Sequence, residues 1–403
     1  MKLSSLKRKI SATLAAGILG TSIAFTAIPA PTADASILGA IIGTGIQIAA
    51  VEQQLSYLDK DGRQELHNSM RTQYGVNEDP ELNTRLDTIM ENLTAGIGSV
   101  DPSIYDKPYN YFINNDETFN AFCSLGHNIS VNTGLFNLVT NDDEIAVVIA
   151  HEMGHGQKNH VVKGFHKTIP VALGSAVLAE STGGIGGAVL ATVLNNQITA
   201  KSITKPQEWE ADNLAFDYLL NTPYNPGACA AIWQRVMEKM NSSGSQNFVG
   251  EIFSPSDHPS NEQRRDNYSK KLTDLSCDKV TVADGIITLN GQTFLVCADS
   301  TEEDMSAAER SYLVAGNLAL LYKDSAPKKK EKKKEKEEPE NGEYKKRTFS
   351  FQREPEAKPA ENKLPKNAYA EDGMLFVDDK YIMTEISGEP SAAELAALFN
   401  QIK

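Results

Sequence analysis

The chain has 403 residues, of which 40% are hydrophobic, so it is long enough for about two or three domains with buried cores. Its formal net charge of −14 at pH 7 argues against a nucleic-acid-binding protein, which would carry a basic face. The four cysteines are too few and too scattered for a disulfide scaffold or a cysteine-rich zinc site.

The N-terminus has the features of an export signal. A basic segment at 2–9 precedes an apolar stretch at 10–30, and Ala-Asp-Ala at 33–35 fits the pattern of a cleavage site. We therefore predict a signal peptide over 1–35 and export to the periplasm, the cell envelope or the exterior. An uncleaved membrane anchor is the alternative, whereas the lack of a cysteine near this site argues against a lipoprotein.

Two further apolar segments are too short to span a bilayer comfortably. Residues 37–51 predict a helix that is packed or lies on a membrane surface. Residues 169–195 contain two apolar runs separated by ESTGGIGG, which favours a packed helical hairpin. Peripheral membrane contact through either segment is the alternative.

Helices and strands are both predicted in the middle of the chain. Residues 80–97 have apolar side chains at helical spacing, whereas YNYFIN and HNISVNTGLF within 109–140 predict strands. Asn141 and Glu144 form a capping-box-like start to a helix that is apolar on all sides, so we expect it to be buried. A later predicted helix contains EWEAD at 208–212.

Two similar units make up the C-terminal third. Each has an Asp-Gly entry, a hairpin with a two-residue turn, and a Ser-Ala-Ala-Glu capping box that opens a helix. We predict two β-β-α units, at 275–323 and 367–403, that pack together. The charged segment between them, 324–366, is predicted to be a disordered linker or a solvated helix.

Export permits a disulfide without requiring one. Cys277 and Cys297 flank the first predicted hairpin, and strand pairing could bring their Cα atoms within disulfide range. We therefore predict a bond between them. Nothing in the sequence excludes a pair formed by Cys123 and Cys229 instead.

The pentapeptide HEMGH has the pattern of a zinc site. His151 and His155 are four residues apart, so on a helix they share a face and can bind one cation. Imidazole nitrogen suits Zn²⁺ better than Mg²⁺ or Ca²⁺. Glu152 follows the first histidine and can take a proton from water. Gly154 and Gly156 disfavour a helix, which indicates that another element approaches closely there.

A third metal ligand must come from elsewhere in the chain. The metzincin pattern HExxHxxGxxH would put its third histidine at position 161, which is Val161. His160 is therefore not that ligand, and we interpret it as a surface histidine or one that supports a ligand. The other common plan uses a carboxylate from a later helix, and EWEAD offers one. The alternative is a helix whose histidines only cap or pack.

These motifs resemble those of the M48 metallopeptidases, the group that includes HtpX, BepA and the CAAX prenyl proteases. The resemblance covers roughly residues 75–270. Its motifs follow in order: Asn120-Ala121-Phe122, Gly126, Ile129, Val131 and Gly134-Leu135, then HEMGH, then Glu208, Ala211 and Asp212, then His258-Pro259 and Arg264. Because no clear membrane span follows the signal, the chain resembles the exported, soluble branch.

The resemblance implies an α+β fold, namely a mainly helical zincin-like domain over 36–270 with a small β-sheet whose edge strand lines the active site. It also implies a zinc site and its supporting residues. Zinc is assigned to His151, His155 and Glu208, the general base to Glu152, and the orientation of a ligand histidine to Asp212.

Further expectations follow from the resemblance and from helix geometry. A helix turns by about 100° per residue, so Glu208 and Asp212 share a face, whereas Glu210 points nearly the opposite way. We expect Glu210 to be solvated or paired with a lysine. The strand at 128–133 is expected to be the edge to which substrate adds. His258 is expected near the zinc, where it stabilises the oxyanion or blocks the site, with a turn histidine as the alternative.

We therefore expect an exported zinc metalloendopeptidase that cleaves unfolded or misassembled proteins of the cell envelope. The alternative is an envelope assembly factor that binds polypeptide in a zinc cleft with little or no cleavage. A further alternative is a zymogen-like state with His258 on the zinc. The intact set of His151, Glu152, His155 and Glu208 favours the enzyme.

Overall fold

The computed structural model describes residues 49–166, 184–196, 203–243, 259–323, 365 and 367–403. Several features predicted from the sequence lie outside these residues. They are the signal peptide, most of 37–51, the first part of 169–195, the charged linker apart from residue 365, and His258.

Helices dominate the described chain, and the strands form three small sheets, in agreement with the predicted mainly helical α+β fold. The helices are α1 (49–59), α2 (Arg63–Tyr74), α3 (Pro80–Gly98), α4 (Thr133–Leu138), α5 (Asp142–Gln157), α6 (160–166), α7 (Gly184–Asn196), α8 (Lys205–Leu219), α9 (Ala228–Ser243), α10 (Asn261–Leu275), α11 (Ala307–Leu320) and α12 (Ala392–Ile402). The strands are β1 (Asn110–Asn114), β2 (Ala121–Ser124), β3 (Asn128–Asn132), β4 (Val280–Ala283), β5 (Ile286–Leu289), β6 (Gln292–Val296), β7 (Ala368–Glu371), β8 (Met374–Val377) and β9 (Lys380–Thr384).

Helix α5 carries HEMGH and lies within the main hydrophobic core, buried on every face as predicted. Its N-terminal cap is Asn141, whose side chain accepts a hydrogen bond from the Asp143 N–H at 2.9 Å. Glu144 does not close the predicted capping box. It lies fully buried beside Arg235 of α9 instead. The surrounding core therefore fixes the position of the histidine-bearing helix.

The sheet beside α5 has the strand order β1-β3-β2. Strand β3 pairs with β1 in parallel and with β2 antiparallel, so it is the central strand. The prediction that 128–133 forms the edge is therefore wrong. The short turn Leu125–His127 folds β3 back onto β2, while β1 pairs along its other side. The edge strand that reaches α5 is β2, through a hydrogen bond from the Cys123 N–H to Glu152.

The second half of the apolar segment 169–195 forms α7, which packs against α1 and α2. Val193 is buried with Leu55 in a cluster separate from the main core. The Tyr74 hydroxyl donates to the Leu194 carbonyl at 2.6 Å. This half is therefore a packed helix, as predicted. Among the described residues, every helix is too short or too polar to cross a membrane.

The two C-terminal units have the same architecture. Each is a three-stranded antiparallel sheet followed by a helix, with β4-β5-β6 and α11 in the first unit and β7-β8-β9 and α12 in the second. The predicted hairpin occurs in both units, and each unit has a further strand before it. The predicted capping box closes only at Ser391, because the Glu309 carboxylate of the first unit pairs with Arg235 instead. The register shifts at matching places, after Ile287 and after Leu375, which supports an internal repeat.

The two units share one hydrophobic core. Helix α11 of the first unit packs on β9 of the second, and α12 of the second packs on β6 of the first. The rings of Phe294 and Phe399 meet edge to face with their centroids 6.3 Å apart. Buried Arg310 pairs with Glu389 at 2.8 Å. Each unit therefore covers the apolar face of the other.

The four cysteines are free thiols, so the predicted disulfide between Cys277 and Cys297 is wrong. Strands β4 and β6 are the two outer strands of their sheet. They lie about 10 Å apart, because neighbouring strands are about 4.8 Å apart. In addition, Cys277 precedes the start of β4 and Cys297 follows the end of β6, at opposite ends of the sheet.

The first C-terminal unit is fastened to the helical domain at α9. Arg235 of α9 donates to one carboxylate oxygen of buried Glu309 in α11, at 2.6 and 2.9 Å. Glu144 of α5 lies 3.9 Å from the same guanidinium. Close by, α11 touches the segment that leads into α9, and a Cβ on Gly316 would lie 2.6 Å from the Cα of Gly227.

We expect Gly316→Ala to destabilise the fold by about 1–3 kcal/mol, because forcing two backbones apart outweighs the roughly 1 kcal/mol that alanine adds to helix stability. Chemical denaturation measures this change. Gly186→Ala is the matched control, since Gly186 also lies within a helix but its Cβ would be 3.6 Å from the nearest atom. Equal stability of the two variants would contradict the close approach.

Candidate metal centre

Helix α5 presents His151 and His155 on one face, as their spacing requires. Both side chains are buried, and their Nε2 atoms lie 3.0 Å apart. The two imidazoles meet nearly at right angles, with an interplanar angle of 78°. Both Nε2 atoms therefore point to one place, where a single cation could contact them.

The two glycines of α5 allow the close packing that the sequence indicated. A Cβ on Gly154 would lie 3.4 Å from the Cα of Ala211 in α8. A Cβ on Gly156 would lie 2.9 Å from a ring carbon of Tyr109, whose hydroxyl donates to the Met153 carbonyl at 2.8 Å. Helix α8 and the Tyr109 ring thus come directly against the histidine-bearing helix.

Helix α8 supplies a third donor. Its N-terminus is held by Gln207, whose side chain accepts from the Thr204 backbone N–H at 2.9 Å. Glu208 in the first turn is buried, and its two carboxylate oxygens lie 3.4 Å from the Nε2 atoms of His151 and His155 respectively. One donor atom from each of the three residues lies within 4.8 Å of the others.

This donor set fits a zinc ion. Two imidazole nitrogens and one carboxylate oxygen are a common ligand set of catalytic zinc sites, which keep a further position open. A buried carboxylate also needs a compensating positive charge, and a divalent cation between the three side chains would supply it. The chemistry and the burial of His151, His155 and Glu208 are therefore those expected of a zinc centre.

The pKa values of the two histidines are shifted in opposite directions. Burial lowers the pKa of His155 to about 3. Burial also lowers the pKa of His151, but hydrogen bonds to Asp212 and Glu208 outweigh it and raise the pKa to about 9. Two imidazolium ions 3.0 Å apart would repel each other, so the pair favours at most one positively charged ring. A bound cation would supply that positive charge in place of a protonated ring.

Glu152 lies beside this cluster with one oxygen held and one oxygen open. Its Oε2 accepts a hydrogen bond from the Cys123 N–H of β2 at 2.9 Å. Its Oε1 is buried without a hydrogen-bond partner among the described residues. Burial raises the pKa of this carboxyl to about 7. The side chain is therefore fixed in place and still able to accept a proton.

A network of buried side chains supports His151. The Oδ1 atom of Asp212 lies 2.9 Å from His151 Nδ1. Arg264 of α10 donates to both oxygens of Asp212, with its Nε 2.8 Å from Oδ2, and its guanidinium stacks 3.7 Å from the centre of the Trp233 ring. The Tyr268 hydroxyl donates to the Asp212 carbonyl at 2.9 Å. Burial alone would raise the pKa of Asp212, but Arg264 outweighs it and holds the pKa below its usual value.

Glu210 projects away from Glu208 and is partly exposed to solvent, one of its two expected states, but its partner is a histidine and not a lysine. Its side chain is 50% exposed, and its Oε2 lies 3.0 Å from His160 Nε2. His160 itself is fully buried, with its Nδ1 3.0 Å from the Nδ1 of His155. Of the two interpretations of His160, the surface position is therefore wrong, and the residue contacts a candidate ligand.

Comparison with known proteins assigns the domain that contains this site. Residues 80–271 match the family model described as peptidase family M48. These residues form an M48 peptidase domain. The matched segment runs from α3 into α10, so it includes HEMGH, EWEAD and Arg264, whereas both C-terminal units lie beyond it.

Several relatives of the M48 domain are named as metalloproteases. Metalloprotease LoiP of Escherichia coli (strain K12) is 29% identical over 189 residues, which are 45% of this chain and 70% of that protein. The Beta-barrel assembly-enhancing protease of Yersinia pestis is 26% identical over 198 residues, 47% of this chain and 39% of that protein. Mitochondrial metalloendopeptidase OMA1 of Arabidopsis thaliana is 30% identical over 154 residues, 37% of this chain and 29% of that protein.

The domain at 80–271 is therefore a metallopeptidase domain, of the class that hydrolyses peptide bonds. The chain spans less than half the length of the second and third of these relatives, so likeness to them concerns the domain rather than the whole protein. The expected place of His258 near the metal stays a prediction, because that residue lies outside the described ones.

Proposed function

We propose that this protein is an exported zinc metalloendopeptidase that cleaves proteins of the cell envelope. Zinc is held by His151, His155 and Glu208, and Asp212 orients His151. The convergence of three donor side chains in one buried centre is the observation that supports this most strongly. When bound, zinc supplies a Lewis acid that polarises a carbonyl and lowers the pKa of water.

Glu152 acts as the general base in this proposal. Its open Oε1 accepts a proton from the water that adds to the peptide carbonyl carbon, while the Cys123 N–H holds Oε2. When the C–N bond breaks, the same carboxyl gives that proton to the leaving amine and returns to its starting state. Burial raises the pKa of this carboxyl, which helps it to hold the proton until the amine leaves.

The proposed substrate is an extended polypeptide that lies along β2. This strand is an edge of its sheet and touches the general base through Cys123. Edge strands offer backbone groups to which an added strand can pair. An unfolded or misassembled chain can adopt that extended form, whereas a folded domain cannot without opening.

Two further observations support a substrate in the cell envelope. The segment 1–35 has the pattern of an export signal, which would place the mature chain outside the cytoplasm. Relatives of the M48 domain carry the name Beta-barrel assembly-enhancing protease, which refers to β-barrel assembly. Polypeptides are the proposed partners, and nucleic acid is not.

Proteolysis of unfolded casein by the purified full chain tests the proposed activity. We expect cleavage with zinc present, loss of cleavage after treatment with a chelator, and recovery when zinc but not magnesium is returned. Zinc-loaded protein that binds casein but releases no fragments would contradict a peptidase. That outcome would favour an assembly factor that uses the cleft only for binding.

A further inference from the structure

His160 lies where the chain turns back towards the metal centre. Helix α5 ends at Gln157, and α6 begins with His160 after a two-residue turn. Asn159 in that turn has a φ of 52°, a left-handed conformation that asparagine tolerates better than most residues. The turn places the His160 ring edge to face against His155, with the ring centroids 5.1 Å apart.

With a metal ion on His155 Nε2, the contacts around His160 favour one arrangement of protons. His155 presents Nε2 to His151 and Glu208, so a metal ion would need the lone pair of that nitrogen, and the ring proton must sit on Nδ1. That Nδ1–H can donate only to the Nδ1 of His160, 3.0 Å away. His160 must then carry its own proton on Nε2, which donates to Glu210 Oε2 at 3.0 Å.

We propose that His160 and Glu210 are positioning residues, a relay that holds His155 in the tautomer and orientation required for zinc binding. This inference rests on the proposed function, because it takes His155 as a zinc ligand. Metal-bound imidazoles generally donate their other N–H to a carboxylate, a carbonyl or water. Here the carboxylate is reached through a second imidazole.

His155 is supported less directly than His151. Asp212 contacts His151 directly and is itself fully buried and paired with Arg264. Glu210 is half-exposed and acts on His155 only through His160. Removal of His160 should therefore affect zinc binding more than neutralisation of Glu210, because water can reach and partly replace the Glu210 carboxylate.

Helix α8 supplies one residue to the metal centre and one to the relay. Glu208 contacts the metal centre directly, whereas Glu210, two residues later, anchors the relay from the outer side. A histidine that only filled space in the core would need no particular tautomer and no acidic partner. His160 has a contact at each ring nitrogen, which favours a positioning role over simple packing.

Zinc affinity of the folded full chain tests the relay, measured by competition with a chromogenic chelator. We expect His160→Ala to lower the affinity by about 10–100-fold. His160→Gln should recover most of that loss, since its amide oxygen can accept from His155 and its amide nitrogen can donate to Glu210. Glu210→Gln should lie between the wild type and His160→Ala.

The control is His67→Ala, which removes another buried imidazole far from HEMGH in the chain and in contact with Phe112. It should leave zinc affinity unchanged, and melting of the metal-free proteins shows whether any variant merely unfolds. Wild-type affinity in His160→Ala would overturn the relay. If His160→Ala does not fold, wild-type affinity in Glu210→Gln would overturn it. Failure of the wild type itself to bind zinc would instead overturn the proposed function.

Discussion

Replacement of Glu152 by glutamine should reduce peptide hydrolysis by at least about 100-fold while the protein keeps its zinc and its fold. The amide is close in shape to the carboxyl, and its oxygen can still accept the hydrogen bond from the Cys123 N–H. It cannot accept the proton of the attacking water. The measurement is the rate of casein cleavage, together with zinc content and the melting temperature.

Glu91→Gln provides the control for this variant. Glu91 is an exposed carboxylate on α3, so the same chemical change there should leave cleavage, zinc content and stability unaltered. Near-wild-type cleavage by the Glu152 variant would remove this residue from the mechanism. Loss of zinc in that variant would mean that its carboxyl belongs to the metal ligands instead.

Glu208→Ala should lose zinc and cleavage together. The carboxylate oxygens lie 3.4 Å from the two Nε2 atoms of the candidate ligands, and three protein ligands are the usual minimum of a catalytic zinc site. We expect the purified variant to retain no zinc after desalting under conditions in which the wild type keeps its ion. Metal analysis by mass spectrometry measures this difference.

Glu210→Ala is the matched control for Glu208, since both residues lie on α8 and differ by two positions. After saturation with zinc and the same desalting, we expect this variant to keep its metal and most of its activity, although the proposed relay implies a zinc affinity below that of the wild type. Its carboxylate contacts His160 and is half-exposed, so it does not reach the metal centre itself. If the Glu210 variant were metal-free and the Glu208 variant were not, the assigned face of α8 would be wrong.

The parts of the site that follow from helix geometry could be predicted from the sequence. The spacing of His151 and His155 puts them on one face, and the turn of about 100° per residue separates Glu208 from Glu210. Both relations hold in the structure, because each depends only on residues within one helix. The apolar surroundings of HEMGH likewise predicted a buried helix.

Contacts between distant parts of the chain could not be predicted in this way. The guanidinium of Arg264 supports Asp212 from 52 positions away and stacks on Trp233, and no local pattern indicates either contact. The place of β3 inside its sheet depends on which side β1 pairs, which the alternation within β3 does not reveal. Glu210 was expected to be solvated or paired with a lysine, and its contact with His160 was missed because that contact depends on how α6 follows α5.

The shared core of the C-terminal units has a consequence for the integrity of the chain. One side of that core comes from before the segment 324–364 and the other side from after it, and the ion pair of Arg310 with Glu389 joins the two. A single nick anywhere in that segment would break the covalent connection but none of these contacts. The two fragments would stay associated in native solution and separate only in denaturant. Autoproteolysis in that segment would therefore leave the fold intact.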